Sequence, residues 1–225
     1  MVAIVQIRKL IHDIILAVLE KYNLPSLYSL YSLYKTGPLK EDGWFRSFRE
    51  HASIDANGHP IPWITYPAIE FLGKRINNQL SVFEYGCGNS TLWWASRVKE
   101  IISVEHDKSW YDKFAPIVPQ NVIISHVALE YGGAYAKEIT AYKKKFDIIV
   151  IDGRDRNNCA VSALESIKND GIIIWDNSER SKYDEGIKLL QDNGFRKIEF
   201  IGMCPAVNIK TETVIFYKDY NVLNI

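Results

Sequence analysis

The chain has 225 residues, of which 47% are hydrophobic and 24% are charged. This composition is ordinary for a globular protein, and the length suffices for one α/β domain with an N-terminal extension. Lysine plus arginine and aspartate plus glutamate each number 27, so the formal net charge is zero. We therefore expect no overall field that attracts nucleic acid or an anionic membrane, and any recognition of an anion should be local.

The cysteines Cys87, Cys159 and Cys204 are too few and too widely spaced for a disulfide framework or a zinc site. A reducing, cytoplasmic setting is the simpler expectation. Charged residues such as Arg8 and Asp13 interrupt the apolar N-terminal segment, so we expect neither a membrane-spanning helix nor a signal peptide.

Apolar residues near the N-terminus recur at helical spacing and predict an amphipathic helix. The members of this stripe are Ile4, Ile7, Ile11, Ile14 and Val18. We expect the stripe to pack on the main domain or on a second copy of the chain, with attachment to a membrane surface as the alternative. Residues 24–62 are rich in proline and glycine, which favours a connecting region. The expected division is an N-terminal helix and connecting region over residues 1–62 and a main domain over residues 63–225.

From residue 66 onward, helical patterns alternate with short apolar runs. Helices are expected over 66–78, 90–99, 108–115, 158–168 and 182–192, and strands over 81–84, 101–105, 122–125, 146–152, 171–175, 196–202 and 213–218. Because no helical pattern separates the last two strands, they should form an antiparallel pair. The alternation predicts an α/β fold with a mostly parallel seven-stranded sheet, helices on both faces and a ligand site at the carboxyl ends of the strands.

The first motif with chemical meaning is a glycine turn, EYGCGNST, over residues 84–91. A dinucleotide fingerprint would require glycine at position 91, where Thr91 stands, so an NAD site is disfavoured. Glu105 ends the second strand, 17 residues after Gly88, where an acid can accept hydrogen bonds from both ribose hydroxyls. Turn and acid together favour an adenosine-type ligand; a tight turn with a solvated glutamate is the alternative.

Four segments, FEYGCGNST, ISVEHD, FDIIVIDG and GIIIWDN, resemble the motif series of class I S-adenosylmethionine (SAM)-dependent methyltransferases. The resemblance covers roughly residues 81–218 and implies a Rossmann-like methyltransferase fold with an antiparallel last strand. It implies that the glycine turn lines the methionine part of SAM, that Glu105 holds the ribose, and that residues near His126 and Val127 lie by the adenine. The cofactor-binding residues expected from it are Glu84, Gly86, Gly88, Ser90, Glu105 and Asp152.

Asp152, Asp176 and Asn177 follow the fourth and fifth strands, so their oxygen-bearing side chains should lie close together. Hard divalent cations prefer such ligands. The pattern resembles the metal site of catechol-type O-methyltransferases, which implies a Mg²⁺ ion that orients and acidifies a substrate hydroxyl. This sequence departs from that family at Asp155, where a basic residue is expected, so Asp155 is a weaker candidate base. Alternatively, Asp152 faces the SAM site and Asp176-Asn177 forms a turn or helix cap.

Basic side chains flank these carboxylates. Arg154, Arg156, Arg180 and Lys182 suit an acidic substrate, or they form surface ion pairs with neighbouring acids. The segment 58–66, GHPIPWITY, suits either a wall of a substrate site or core packing, and it is similar to bacterial methyltransferase-like proteins of surface-glycan gene clusters.

Taken together, these patterns predict SAM-dependent O-methylation of a small molecule or sugar, catalysed mostly by positioning. The catalytic candidates are Asp152, Asp155 and Asp176, and the metal candidates are Asp152, Asp176 and Asn177. An NAD-dependent oxidoreductase and a non-catalytic SAM- or glycan-binding protein are the alternatives. We expect no nucleic-acid partner. The apolar stripe of the N-terminal helix could form the contact between copies in a homo-oligomer.

Overall fold

The computed structural model describes residues 2–22 and 24–225, in which helices surround one seven-stranded sheet. The helices are α1 (Val2–Lys21), α2 (Pro25–Thr36), α3 (Pro38–Glu41), α4 (Trp44–Glu50), α5 (Tyr66–Gly73), α6 (Asn89–Ala95), α7 (Lys108–Phe114), α8 (Ala134–Lys137), α9 (Arg156–Ser166) and α10 (Asp184–Asp192). The strands are β1 (Ser81–Tyr85), β2 (Glu100–Glu105), β3 (Val122–His126), β4 (Phe146–Ile151), β5 (Ile167–Asp176), β6 (Arg196–Met203) and β7 (Lys210–Tyr217).

The strands lie in the order β3-β2-β1-β4-β5-β7-β6. Strands β1 to β5 pair in parallel, whereas β7 is antiparallel to both β5 and β6. This topology confirms the predicted mostly parallel sheet and its antiparallel last strand. Because β6 points the same way as β1 to β5, the loop between β6 and β7 emerges at the carboxyl edge of the sheet.

Helices cover both faces of the sheet, so the central strands are buried throughout. Side chains of β1 and β4 alternate between two apolar clusters, as the two-residue period of a strand requires. Phe83 and Ile149 belong to the cluster that contains residues of α8, α9 and α10. Val82 and Ile148 belong to the cluster that contains residues of α5 and α6.

The expectation of a connecting region over residues 24–62 is wrong in part, because this segment contains α2, α3 and α4. Pro25 and Pro38 stand at the first positions of α2 and α3. Amide hydrogens in the first turn of a helix have no partner within the helix, so proline, which lacks this hydrogen, is tolerated there. These prolines therefore begin helices where the sequence analysis took them as interruptions.

The predicted N-terminal helix is present as α1, but its apolar stripe does not pack on the sheet. Ile7, Ile11, Ile14 and Val18 are between 47% and 57% exposed, and the side chain of Ile4 lies outside the described part of the structure. The neighbour of α1 is α2. Packing on the main domain is thus corrected, and contact with a second copy stays a prediction. Over residues 2–22 and 24–225, no helix is both long enough and apolar enough to cross a bilayer.

A matched pair of isoleucines tests where the stability of the sheet resides. Ile149 in central β4 is fully buried, whereas Ile123 in edge strand β3 is 58% exposed. We expect Ile149→Ala to lower the free energy of unfolding by roughly 2–5 kcal/mol, because it leaves a cavity in the core. Ile123→Ala should cost less than about 0.5 kcal/mol. Urea unfolding of both variants checks this, and equal losses would contradict the assignment of the core.

Candidate functional site

A cavity of about 570 Å³ opens at the carboxyl edge of the sheet. Strand β1 lies between β2 and β4, so the turns that follow β1 and β4 diverge and leave a crevice between them. Residues that the sequence analysis singled out line this cavity together: Glu84, Gly86, Gly88, Ser90, Glu105, Asp152, Arg154, Asp176, Asn177 and Arg180.

Two glycines allow the turns after β1 and β4 to pass close to each other. Gly86 has φ of +104°, a conformation that side chains disfavour. A Cβ atom added to Gly153 would lie 2.0 Å from the hydroxyl oxygen of Tyr135 and 3.1 Å from the main chain of Tyr85. The floor of the cavity therefore consists of main chain, which a ligand can approach.

Thr91 stabilises the glycine turn. It stands where a dinucleotide fingerprint would have its third glycine. Its hydroxyl donates to Glu84 Oε2 at 2.5 Å and accepts from the Gly88 amide at 3.0 Å. Ser103 also donates to Glu84 Oε2, at 3.0 Å. Burial raises the pKa of Glu84 to about 7, although these hydrogen bonds oppose the rise. A buried carboxyl that titrates near neutrality thus faces the cavity.

Glu105 lies at the end of β2 and is 4% exposed. Its Oε2 accepts from the Cys87 amide at 3.0 Å, and its Oε1 accepts from the amides of His106 and Asp107 at 2.8 and 2.7 Å. A carboxylate offers about four lone-pair positions. The His106 ring nitrogen Nδ1 also lies 2.8 Å from Oε1. These contacts fix the orientation of the carboxylate, and Oε2, with one amide partner, keeps acceptor capacity for a ligand in the cavity.

The placement of the adenine near His126 and Val127 stays a prediction. His126 and Val127 are not among the described residues that line the cavity. Asp107, Trp110 and Phe114, at the end of β2 and on α7, do line the cavity beside the glycine turn, and the sequence analysis did not single them out. The Trp110 ring nitrogen donates to the Cys87 carbonyl and so holds the ring beside the glycine turn. The signal for Trp110 was its place on a helix that begins only three residues after β2 ends.

The side chains expected to hold a metal are brought together, but a guanidinium already lies among them. Arg156 Nη2 donates to Asp152 Oδ1 at 3.1 Å and to Asn177 Oδ1 at 3.4 Å. Asp176 Oδ1 instead accepts from the Thr213 hydroxyl at 2.7 Å. Burial and the nearby Asp152 raise the pKa of Asp176, which favours its neutral form.

These residues therefore do not fit a divalent cation. A positive side chain that cannot lose its proton lies on Asp152 Oδ1 and Asn177 Oδ1, and Asp176 Oδ1 is held by Thr213. Over residues 2–22 and 24–225, no group of three or more His, Cys, Asp and Glu side chains could hold a metal ion.

Asp155, the weaker candidate base, is turned away from the cavity. Its Oδ2 accepts from the Gly132 amide and its Oδ1 accepts from Asn158 Nδ2, both at 2.7 Å. Asp155 also has φ of +52° directly before α9, and this backbone turn directs its side chain toward the loop at Gly132. The carboxylate that faces the cavity is Asp152.

The basic residues divide into three groups. Arg156 lines the cavity but is buried and pairs with Asp152, whereas Lys182 is not among the described residues that line the cavity. Arg154 and Arg180 do line it. The Arg154 side chain is exposed and has no hydrogen bond or ion pair with the described residues, and Arg180 lies 3.7 Å from Glu179.

The remaining wall comes from the N-terminal segments and from the loop between β6 and β7. In the segment 58–66, Ile61 and Ile64 are buried in the core, as one of the two alternatives expects, whereas Trp63 is 46% exposed and lines the cavity. A substrate-facing role for Trp63 stays a prediction. The loop contributes Val207, whose carbonyl accepts from the Trp44 ring nitrogen at 2.7 Å. Helix α4 thereby holds the loop over the cavity.

The sequence matches no protein-family model, and no curated protein sequence matches it. Solved structures do resemble it. A Klebsiella pneumoniae protein with a provisional O-methyltransferase assignment matches with a TM-score of 0.54 and 15% identity, over 85% of this chain and 94% of that one. The chain has a methyltransferase fold.

Two further structures share this fold. Precorrin-8w decarboxylase from Methanobacterium thermoautotrophicum matches with a TM-score of 0.51 and 18% identity, over 68% of this chain and 87% of that one. Aeropyrum pernix fibrillarin, solved with natively bound SAM, matches with a TM-score of 0.50 and 12% identity, over 63% and 68% of the two chains. One fold thus carries different reactions, and the reaction must be argued from the site.

The buried carboxyl of Glu84 makes a prediction about pH. The folded chain keeps the Glu84 proton up to about pH 7, whereas the unfolded carboxyl releases it near its ordinary value of 4.5. The wild-type chain should therefore lose stability as pH rises through this window. In Glu84→Gln this loss is absent, so the free energy of unfolding of the variant relative to wild type should rise by roughly 1–3 kcal/mol from pH 5 to pH 8.

Urea unfolding at both pH values measures the difference. Glu165→Gln, at an exposed position on α9, controls for the loss of one carboxyl. A difference between Glu84→Gln and wild type that stays constant with pH would show that burial does not perturb Glu84.

Proposed function

We propose that this chain is a SAM-dependent O-methyltransferase that acts on a small anionic molecule or an acidic sugar. The observation that carries the proposal is one cavity in which a glycine turn and Glu105 lie on one side and Arg154 and Arg180 lie near Asp152 on the other.

The cofactor half of the cavity suits a cationic adenosine compound. SAM carries an ammonium and a sulfonium group, and the carboxyls of Glu84, Glu105 and Asp152 all line the cavity. The Ser53 hydroxyl is buried, lines the same cavity and has no hydrogen-bond partner among the described residues. Because an unpaired buried hydroxyl is costly, a polar ligand group would stabilise it.

The acceptor half suits an anion. Arg154 is unpaired, and the partner of Arg180 is engaged elsewhere, since Glu179 accepts from the Thr211 hydroxyl and the Glu212 amide, each at 3.2 Å. Arginine forks bind carboxylate and phosphate groups in two-point fashion. Trp63, which also lines the cavity, offers an aromatic surface for the body of the acceptor.

SAM, when bound, supplies a methyl group that passes to the acceptor oxygen while the sulfur keeps the electron pair of the broken C–S bond. The chain contributes position and a proton acceptor. The Asp152 side chain is 28% exposed and is anchored by Arg156. Burial raises its pKa, and a carboxylate with a raised pKa is a stronger base. Asp152 thus takes the proton of the acceptor hydroxyl, and the arginines hold that hydroxyl in line.

The cofactor assignment is tested by calorimetry with SAM. We expect Glu105→Ala to weaken binding by roughly 1.5–3 kcal/mol, because a charge-assisted hydrogen bond to the ribose is lost. Glu100→Ala, at the other end of the same strand, should bind SAM like wild type. The melting temperature of Glu105→Ala is the control: a value equal to that of wild type means that only the contact with SAM is lost, whereas a lower value means that the glycine turn is destabilised. Equal binding by Glu105→Ala and wild type would remove Glu105 from the site, and binding of NAD in place of SAM would favour an oxidoreductase.

The acceptor class is tested with matched pairs of hydroxylated compounds, each as a carboxylate and as the corresponding carboxamide. Release of S-adenosylhomocysteine, followed by mass spectrometry, should be faster with the carboxylates. We expect Arg180→Gln to lower kcat/KM for a carboxylate roughly 10–100-fold, and Lys182→Gln to leave it unchanged. Equal rates for acids and amides would contradict an anionic acceptor. Binding of SAM without turnover of any pair would favour a non-catalytic binding protein.

A further inference from the structure

Arg156 occupies the middle of the acceptor site and makes contacts with every one of its guanidinium nitrogens. It is the first residue of α9, four residues after Asp152, and its side chain is 6% exposed. Nε donates to the Gly153 carbonyl at 3.0 Å, and Nη2 donates to the Asp152 carbonyl at 2.8 Å. Nη1 donates to the Asp176 carbonyl.

The same guanidinium reaches side chains on the ends of both β4 and β5. Nη2 contacts Asp152 Oδ1 at 3.1 Å and Asn177 Oδ1 at 3.4 Å. Arg156 thus donates to at least one main-chain or side-chain oxygen of each of the three residues, Asp152, Asp176 and Asn177, that the sequence analysis proposed as metal ligands. A rigid, permanently charged fork satisfies several oxygens at once, as a metal ion does.

A second observation shows that the guanidinium is fixed in place. Its central carbon lies 5.1 Å from the centre of the Tyr183 ring, which is itself buried. An arginine that stacks on an aromatic ring and donates to five oxygens has little freedom to leave. A divalent ion at the same oxygens would face this charge at contact distance with little water between them.

We propose that Arg156 is the built-in cation of the acceptor site, in the place that a divalent metal ion would hold, so that methyl transfer by this chain requires no metal. The second clause rests on the proposed function, whereas the first concerns this chain alone. Arg156 acts through its neighbours as a positioning residue: it keeps Asp152 aimed into the cavity and ties the end of β4 to the end of β5.

The experiment is a titration of the full-length, chelator-treated protein with Mn²⁺, followed by electron paramagnetic resonance and calorimetry. We expect wild type to bind no Mn²⁺ with a defined stoichiometry. In Arg156→Ala the oxygens of Asp152 and Asn177 lose their cation, so one Mn²⁺ per chain should bind and should raise the melting temperature of the variant. Arg156→Lys keeps the charge and should bind none, and neither should Arg154→Ala, the control at the exposed rim.

The outcomes distinguish the role of Arg156 as a built-in cation from the proposed methyltransferase function. One Mn²⁺ bound by wild type and lost in Asp176→Asn would overturn it, as would a folded Arg156→Ala variant that binds no Mn²⁺. If Arg156→Ala does not fold, the titrations of wild type and Arg156→Lys still decide, because Mn²⁺ bound by either contradicts a built-in cation. SAM calorimetry on the same wild-type sample is independent: absence of SAM binding would remove the proposed function and leave the Mn²⁺ result intact.

Once an acceptor is known, EDTA should leave the wild-type rate unchanged. A loss of rate in EDTA that Mg²⁺ restores would overturn metal-independent transfer.

Discussion

The placement of β1 between β2 and β4 is the constraint from which the site follows. The chain leaves β1 toward one side of the sheet and later returns on the other side as β4, so the two turns at the carboxyl edge separate. They come close where Gly153 passes the main chain of Tyr85, and the Tyr135 hydroxyl occupies the space that a side chain at position 153 would need. The crevice, its main-chain floor and the convergence of acids from the ends of four strands all depend on this arrangement.

The charges in the cavity are partly sorted along its length. Glu84 and Glu105 lie at the glycine-turn end, which Lys113 beside Trp110 also lines, and Arg154 and Arg180 lie beyond Asp152. Such a division would draw a cationic cofactor and an anionic acceptor to opposite ends, with their reactive groups meeting at Asp152. Burial of carboxyls is unfavourable by itself, and the internal guanidinium of Arg156 offsets part of that cost where Asp152 and Asp176 come together.

The sequence predicted those features that depend on local pattern. The apolar run from Phe146 to Ile151 identified a buried strand, and the lack of a helical pattern between β6 and β7 identified their antiparallel pairing. Composition could not distinguish a proline that begins a helix from one that interrupts a chain, so α2 and α3 were missed.

Side-chain direction was the harder part of the site. The role of Arg156 depends on α9 beginning directly after Asp155, whose left-handed backbone turns Asp155 outward and brings Arg156 back over Asp152. The four-residue spacing between Asp152 and Arg156 was the available signal, but spacing does not reveal where a helix starts to within one residue. Trp110 was not singled out for a similar reason, because its place beside the glycine turn depends on where α7 begins after β2.

The reversal of chain direction at β7 has a consequence for how such a protein can diverge. It creates a hairpin loop, residues 204–209, at the same edge as the cavity, and Trp44 holds that loop from outside the sheet. Surface loops accept insertions and substitutions more readily than paired strands do. Changes of length in this loop would alter one wall of the cavity while β1, its turn and Glu105 stay as they are. In the proposed function, part of the substrate range would therefore lie on a stretch of the chain separate from the residues that hold the cofactor, and that stretch could change while cofactor binding is kept.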